Sequence, residues 1–421
     1  MNAAAAGAVR RRLVPPLLRD TVFRRYWSAS TVSMAGDQVA TVAVPLTAVL
    51  ALHAGAAAMG YLTALEWLPS LLFGMHAGAW ADRHGRRRQL MIACDLGRFA
   101  LFSIVPVCYA LGVLALWQLF AVVFAAGTLS ILFNVADGTL FVSIVRPEQY
   151  VDGQSLIYGS RALSFVVGPS LGGILTQLLT APFAILTDAL SFLGSAFFLR
   201  RIDPVEPPAD DGKGSVTAGL RWIAHSPVVR ASLTGVAVIN FFNLMYFALL
   251  VLYAVRVLHV NAGLLGLIIG CGAFGGLLGA AVTKRLAARI GVGLAYVAGC
   301  FLFTAPLALV PLAPLPSGHG TTITVILLMF GAEFASGAGV MMLDIAIGSI
   351  FAAVIPDTLR SRVSGAFQAI NYGTRPLGAL LGGVLGSAVG LRTALWVAVA
   401  GGVIGAVLLI PSPLPRFRLP S

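Results

Sequence analysis

The sequence predicts an all-α membrane protein in which twelve transmembrane helices form two pseudo-symmetric bundles of six. Three observations lead to this prediction. Hydrophobic residues make up 58% of the 421-residue chain and charged residues only 10%, whereas a soluble protein carries about a quarter charged residues. The apolar residues fall into segments of about 20 residues, the length that crosses a bilayer core about 30 Å thick. One long polar stretch, about residues 201–229, divides these segments into two sets of six.

The spanning segments are expected to be helices, because lipid offers no partner to an unpaired backbone amide. Strict alternation over about 10 residues, which is typical of strands in a membrane barrel, does not occur in the sequence. By length and apolarity we place the segments at about 26–51, 57–80, 90–111, 115–143, 155–178, 182–200, 230–256, 262–284, 293–313, 321–350, 364–388 and 392–411.

The net charge of +12 could indicate a nucleic-acid-binding protein, but its distribution excludes that class. Of the 28 lysines and arginines, roughly 23 fall in the chain ends and in every second loop, which is the positive-inside pattern. Both termini are therefore expected in the cytoplasm. The predicted parts are a tail (1–25), a bundle (26–201), a linker (202–229), a second bundle (230–411) and a tail (412–421).

Residues 1–25 are expected to be a cytosolic tail rather than a secretory signal, because the arginines at 10–12 precede only a short, interrupted apolar run. The abundance of alanine, glycine and arginine is typical of a GC-rich bacterial genome. We therefore expect a multi-pass protein of a bacterial inner membrane, with membrane lipids around it.

Enzymatic classes are not indicated. The four cysteines all lie in apolar segments, without the spacing of a disulfide or a metal site. A phosphate-binding Gly-x-x-x-x-Gly-Lys-Ser/Thr loop, a hydrolytic triad and a metal centre are not found in the sequence. We expect no cofactor, no metal and no ATP-driven pump.

The two halves of the chain resemble each other. Asp137, Pro147 and Gly172-Gly173 in the first half match Asp344, Pro356 and Gly382-Gly383 in the second, at offsets of 207 to 210 residues. Such a repeat is expected for a transporter built from two parallel halves, and a chance repeat in glycine- and alanine-rich sequence is the alternative.

The loop between the second and third segments carries an acid, a turn glycine and clustered arginines, in the pattern Gly78-x-x-x-Asp82-Arg83-x-Gly85-Arg86-Arg87. This pattern resembles motif A of the major facilitator superfamily, a family of transporters with the six-plus-six fold. The resemblance implies that Asp82 meets the positive N-terminal end of a helix in the other half. Asp82 would then be a latch that holds the outward-facing form, with Arg86 supporting it. A generic basic loop would explain the arginines but not Asp82 and Gly85.

The fifth segment contains the run Gly168-Pro169-Ser170-Leu171-Gly172-Gly173. It resembles the antiporter motif, or motif C, of drug-exporting members of the superfamily, although Ser155 and Ser164 replace two glycines of the family pattern. Small residues let helices approach closely and proline loosens the helix, so this segment is expected to be a hinge and a seal. A generic helix-crossing site is the alternative.

Further motifs resemble the drug:proton antiporter branch, which includes macrolide-efflux and enterobactin-export proteins. They are Gly36-Asp37, Cys94–Arg98, Phe133-Asn134 and Asp188–Phe192. The resemblance runs from about Phe23 to Arg201, and Asp137 stands where many relatives carry arginine.

Charged residues inside the spanning segments are a further clue to function. Each ionised group near the bilayer centre costs about 2.5–3.5 kcal/mol, so it should face a wet cavity or bind a proton. Asp37, Glu66 and Glu333 lie closest to mid-span, and Asp188 lies nearer the outside. Those nearer the cytosolic ends are Asp95, Arg98, Asp137, Arg161 and Asp344.

Asp37 and Glu66 are the expected proton carriers, because a carboxyl buried away from water binds its proton more tightly. Glu333 is a further candidate, and Arg161 and Arg375 are expected partners. Permanent pairing of Glu66 with an arginine is the alternative. Asp95 and Arg98 can pair on one helix face, since they are three residues apart.

A substrate cavity is expected at mid-membrane between the two halves. Aromatic and amide residues of the spanning segments could line it: Trp67, Asn134, Tyr158, Asn240, Phe241, Asn243, Tyr246, Gln368, Asn371 and Tyr372. Packing in the core is the alternative for each of them.

Together these features predict a monomeric secondary active transporter that exports a bulky, partly apolar small molecule, such as an antibiotic or a siderophore, in exchange for protons. Uptake by proton or ion symport and lipid flipping are the alternative functions.

Overall fold

The computed structural model describes residues 15–84, 86–204, 216–315, 321–356 and 359–418, and only the backbone of 75–84, 216–220 and 360–362. These residues form twelve long helices and no strand. The helices are α1 (Thr21–Leu46, continued by a π-helical turn to Ala51), α2 (Ala56–His84), α3 (Arg87–Ala110), α4 (Leu116–Ile144), α5 (Tyr150–Leu179), α6 (Ala181–Arg200), α7 (Pro227–Arg256), α8 (Ala262–Ile290), α9 (Val292–Thr304, continued by short turns to Leu312), α10 (Ile323–Val354), α11 (Arg360–Ala388) and α12 (Leu391–Val407).

Each predicted segment corresponds to one of these helices, which confirms the all-α membrane fold. Within the described residues, ten helices are long and apolar enough to cross a membrane. Helix α12 is apolar but has only 17 residues, and α11 contains the polar residues Gln368, Asn371 and Arg375. Successive helices alternate in direction, so α1 begins and α12 ends on one side, called here the terminal side. The opposite side is called the far side.

Several helices extend past the predicted apolar segments on the terminal side. Helix α5 begins at Tyr150 and α8 continues to Ile290, because a helix requires backbone hydrogen bonds and not apolar side chains to continue into the polar region. Helix α12 ends at Val407, earlier than predicted, shortly before Pro411 and Pro413, which cannot continue a helix.

The predicted linker contains a short helix, Val216–His225. Its Trp222 and Ile223 pack with Val229 and Leu233 of α7 and with Val363 of α11. The linker helix is therefore attached to the second half of the chain.

The packing of the first six helices recurs in the second six. In the first half, α1 packs against α5 and α6, α4 against α2 and α3, and α3 against α6; in the second, α7 packs against α11 and α12, α10 against α8 and α9, and α9 against α12. Backbone turns recur as well. His53 after α1 and His259 after α7 have φ of 52° and 53°, and Thr180 before α6 and Gly390 before α12 have φ of 83° and 87°. The sequence repeat is thus a repeat of structure.

The halves meet along α2 with α11 and along α5 with α8, which are equivalent pairs in the repeat. Two pairs of glycines mark these contacts on the far side. A Cβ on Gly60 would lie 2.7 Å from the Cα of Gly383, and a Cβ on Gly266 would lie 2.8 Å from the Cα of Gly173. Only glycine allows helix backbones to approach so closely.

The buried apolar residues follow the same division. On the far side, one continuous core contains residues of both halves, such as Val42, Leu62, Leu249 and Leu265. On the terminal side, each half has a core of its own, around Phe141 in the first and around Tyr296 in the second. The halves are therefore joined on the far side and separate on the terminal side.

Candidate functional site

A cavity of about 550 Å³ lies within the first half. All six helices of that half contribute to it. Its ionisable lining residues are Asp37, Glu66, Arg98, Asp137, Arg161 and Asp188. Carboxyls therefore outnumber guanidinium groups in this described wall, and a proton or a cation would find more partners there than an anion.

The charge of Arg98 is largely compensated. Its guanidinium pairs with Asp95 on the same helix face, as the spacing predicted. The guanidinium also lies 4.5 Å from the ring centroid of Phe133 and 4.1 Å from that of Phe192. Arg98 is 2% exposed and Asp95 0%, so this pair with its aromatic neighbours is part of the core as well as of the cavity wall.

Two other carboxyls of this cavity have hydroxyl partners. The hydroxyl of Tyr26 donates to Asp137 Oδ1 at 2.8 Å, and that of Ser191 donates to Asp188 Oδ1 at 3.3 Å. Asp188 lies against the backbone of Gly36, which precedes Asp37. Asp188 is therefore at the depth of Asp37, and not nearer the outside as its position along α6 suggested.

A second cavity, of about 730 Å³, lies between the two halves. It is lined on one side by α1, α2 and α5 and on the other by α7, α8, α9, α10 and α11. The residues that line both cavities are Gln38, Thr41, Pro45, Thr63, Glu66, Trp67 and Phe165, so the two cavities adjoin. On α2 and α8 the residues that line this cavity come after Gly60 and Gly266 in the chain, so most of the cavity lies on the terminal side of the two glycine contacts. Pro45 of α1 and Leu250 and Val251 of α7 line its far-side end.

Arg375 of α11 is the described cation that lines the second cavity. Its guanidinium lies 4.1 Å from the ring centroid of Trp67 on α2 and 4.7 Å from that of Tyr372. Its Nη2 donates to Asn240 Oδ1 at 3.2 Å. A cation–π contact thus connects the two halves directly beside Glu66.

Glu333 is placed apart from both cavities. It is 5% exposed, and its Oε1 has no hydrogen-bond partner among the described residues. A Cβ on Gly272 of α8 would lie 3.8 Å from its Oε2, so the carboxyl sits between α10 and α8. An unpartnered buried carboxyl is more stable with a proton bound than ionised.

The predicted cavity residues fall into two groups. Trp67, Asn134, Asn240, Asn243 and Asn371 line one or both cavities. The ring of Tyr372 is tilted against that of Trp67, with 5.7 Å between the ring centroids. The others are placed outside the described lining: Tyr158 is 60% exposed and Tyr246 is 1% exposed, Gln368 is exposed, and the backbone of Phe241 packs on Gly378.

Of the proton-coupling candidates, Asp37, Glu66 and Arg161 lie together in the first cavity. Glu66 and Arg161 are exposed and Asp37 is half-buried. Among the described residues, the ion pairs are Arg98 with Asp95 and Arg88 with Asp203. Glu66 therefore has no ion-pair partner there.

Gly168, Pro169, Gly172 and Gly173 of the antiporter motif are buried where α5 crosses α1 and α8. A Cβ on Gly168 would lie 2.2 Å from the Cβ of Gln38, and one on Gly172 would lie 2.7 Å from the carbonyl oxygen of Val39. Pro169 lines the second cavity, and Gly173 forms the contact with Gly266.

The motif A loop is described only in part. Gly85 lies outside the described residues, as do the side chains of Asp82 and Arg83, and Gly78 is described only as backbone at the end of α2. Arg86 is the exposed residue before α3, and Arg87 is 6% exposed.

Sequence reasoning missed some of the lining. Gln38, Thr41 and Phe165 line both cavities, but they carry no charge or motif that would single them out. Asp188 is among the intramembrane acids of the sequence and lies inside one of the motifs that resemble the drug:proton antiporter branch, but its position along α6 gave no reason to place it beside Asp37 in a cavity.

Comparisons with known proteins agree with this geometry. The sequence profile of the Major Facilitator Superfamily matches residues 26–371. The chain is similar to the MFS-type transporter YfiS of Bacillus subtilis, with 28% identity over 93% of each chain. It is also similar to the multidrug efflux pump Tap of Mycolicibacterium fortuitum, with 25% identity over 93% of this chain and 95% of the relative.

Solved structures share the fold at low sequence identity. A bacterial homologue of the iron transporter ferroportin in an inward-facing state superposes with a TM-score of 0.74 at 17% identity, covering 94% of this chain and 99% of that one. A bacterial homologue of the human lysosomal transporter Spinster, inward-facing and unoccupied, gives 0.72 at 15% identity, covering 96% and 98%.

Proposed function

Because the chain belongs to the Major Facilitator Superfamily, and is a multi-pass membrane transporter rather than an enzyme, we propose that it exports a bulky, partly apolar small molecule in exchange for protons. The observation that carries this proposal is the pair of adjoining cavities. One is rich in carboxyls that could carry a proton, and the other lies between the halves with a largely apolar wall that could hold the substrate.

Alternating access supplies the mechanism. The arginine pattern of the sequence assigns the terminal side to the cytoplasm, so a cavity on the terminal side of the glycine contacts would receive substrate from inside the cell. Rocking of the halves would then close the terminal side and open the far side. The proposed domains are those predicted from the sequence. Asp82 and its motif A neighbours are proposed as the latch of the outward-facing form.

Coupling requires that proton and substrate influence the same residues. Glu66 satisfies this requirement, because it lines both cavities and lies next to Trp67, which contacts Arg375 of the other half. Protonation of Glu66 would change the charge beside that contact. Asp37, Arg161 and Glu333 are the other residues we assign to coupling.

Export is favoured over uptake by the antiporter motif and by the similarity to the efflux pump Tap. The test is a drug-susceptibility panel on cells with and without the protein, repeated with the proton gradient collapsed. Protection that disappears with the gradient is expected. Compound accumulation in intact cells would identify uptake instead, and altered lipid distribution without any change in susceptibility would identify a flippase.

Glu66→Gln should abolish transport driven by a pH gradient, because an amide side chain does not bind and release a proton at physiological pH. Glu148→Gln, which alters an exposed carboxyl in the turn before α5, is the matched control and should transport like the wild type. Full gradient-driven transport by Glu66→Gln would remove Glu66 from the mechanism.

A further inference from the structure

We propose that Asp188 of α6 is a proton-binding residue of the transporter and acts as a pair with Asp37 of α1. The proposal rests on the proton exchange proposed above and adds a residue that the coupling candidates do not include. In this pair, one proton on Asp188 keeps two adjacent carboxyls from being ionised together.

Asp188 is buried, and its carboxylate has no ion-pair partner among the described residues. It is 1% exposed. Its Oδ1 accepts the single long hydrogen bond from Ser191, and its Oδ2 has no hydrogen-bond partner among the described residues. The described ion pairs do not include it. Ionised, such a group would lose the solvation of water without replacement, and binding a proton removes that cost.

The carboxyl faces α1 at its closest approach. A Cβ on Gly36 would lie 2.6 Å from Asp188 Oδ1 and 2.0 Å from Ser191 Oγ. Gly36 therefore lets α6 bring its carboxyl against the α1 backbone, one residue before Asp37. Asp37 follows Gly36 on α1 and lines the same cavity as Asp188, and two neighbouring carboxyls do not readily ionise together.

The other charges around the pair leave it negative. Helix α3 contributes Arg98, which attracts both Asp37 and Asp188. Asp95 of the same helix pairs with Arg98 and offsets its charge. Helix α5 contributes Arg161, which lies within electrostatic range of Asp37 but is exposed and so is screened by water. Helix α4 contributes Asp137, whose carboxylate would add negative charge to the same cavity.

The pair is positioned to respond to substrate. Asp188 and Asp37 both line the first cavity, so a proton can reach them. Gln38, the next residue of α1, lines both cavities and packs against Gly168 of the antiporter motif. A molecule that enters between the halves and contacts Gln38 would shift α1 relative to α6. Separation of the two carboxyls would then favour release of the proton.

Infrared spectroscopy of the purified full-length protein tests this proposal without a substrate. Near pH 7, the difference between wild type and Asp188→Asn in the carboxylic-acid C=O stretching region should show the loss of one protonated carboxyl. Asp152→Asn, which changes an exposed residue in the first turn of α5, should show no loss. An unchanged acid band in Asp188→Asn would overturn the proposal.

Failure of Asp188→Asn to fold would also oppose the proposal, because the amide matches a protonated carboxyl in size and charge.

Transport of ethidium in proteoliposomes separates this proposal from the proposed function. Wild type should accumulate the dye under a pH gradient. Asp188→Asn should lose that accumulation completely but retain exchange of dye without a gradient. If the wild type ignores the gradient, the proposed proton exchange fails while the infrared result still decides the state of Asp188. If both proteins respond equally to the gradient, the role of Asp188 in coupling is refuted.

Discussion

The glycine contacts on the far side provide a quantitative test of alternating access. A Cβ on Gly266 would lie 2.4 Å from the carbonyl oxygen of Pro169, about 1 Å inside the 3.4 Å at which ordinary contact begins. Both atoms belong to helix backbones, so α5 and α8 must separate to accept the methyl group. Overpacking of this kind costs about 1–3 kcal/mol.

That cost falls only on the conformation in which the far side is closed. A cost of about 2 kcal/mol would lower the ratio of far-side-closed to far-side-open molecules by about 30-fold. Gly266→Ala is therefore expected to shift the population toward the far-side-open form. Gly60→Ala should act in the same direction, because its Cβ would lie 2.7 Å from the carbonyl oxygen of Ala379 at the equivalent contact.

Electron–electron distance measurements can follow this shift. Spin labels on Leu50→Cys and Arg256→Cys, at the exposed far-side ends of α1 and α7, would report the separation of the halves in a background without the four native cysteines. Longer distances are expected in Gly266→Ala. Gly159→Ala is the control on α5, since nothing lies within 4 Å of its added Cβ. An unchanged distance distribution in both Gly266→Ala and Gly60→Ala would refute the reasoning.

Two further predictions concern buried and inter-half contacts. Asp95→Asn should destabilise the protein by about 3–5 kcal/mol, because it leaves the Arg98 guanidinium buried and unpaired, and a thermal unfolding midpoint equal to that of the wild type would contradict this. A double-mutant cycle of Trp67→Ala with Arg375→Ala should give a coupling free energy of about 0.5–2 kcal/mol in thermal unfolding, and additive effects would show that the cation–π contact does not hold the halves together.

The sequence was sufficient for much of the fold, because spanning helices are determined by local composition. Segments of about 20 apolar residues placed all twelve helices, and the intrahelical pair of Asp95 and Arg98 followed from spacing alone. Polar extensions such as the start of α5 at Tyr150 could not be predicted, because hydropathy marks the bilayer and not the helix end.

The site was less predictable, because it depends on contacts between helices that are distant in the chain. The position of Asp188 along α6 suggested that it lies nearer the outside of the membrane. Its depth in the membrane is instead set by the packing of α6 on Gly36 of α1. The stacking of Arg375 on Trp67 likewise joins two halves, and no spacing within either half encodes it. Uncharged lining residues such as Gln38 and Phe165 carry no signal in a single sequence.

The apolar core that bridges the halves on the far side has a thermal consequence. Parting it during turnover would bring side chains such as Leu249 and Leu265 into contact with water, a change accompanied by a gain in heat capacity. The attraction that keeps this region shut weakens on cooling. The conformational equilibrium should therefore follow a curved rather than a linear van't Hoff plot, with molecules open to the far side becoming more abundant in the cold.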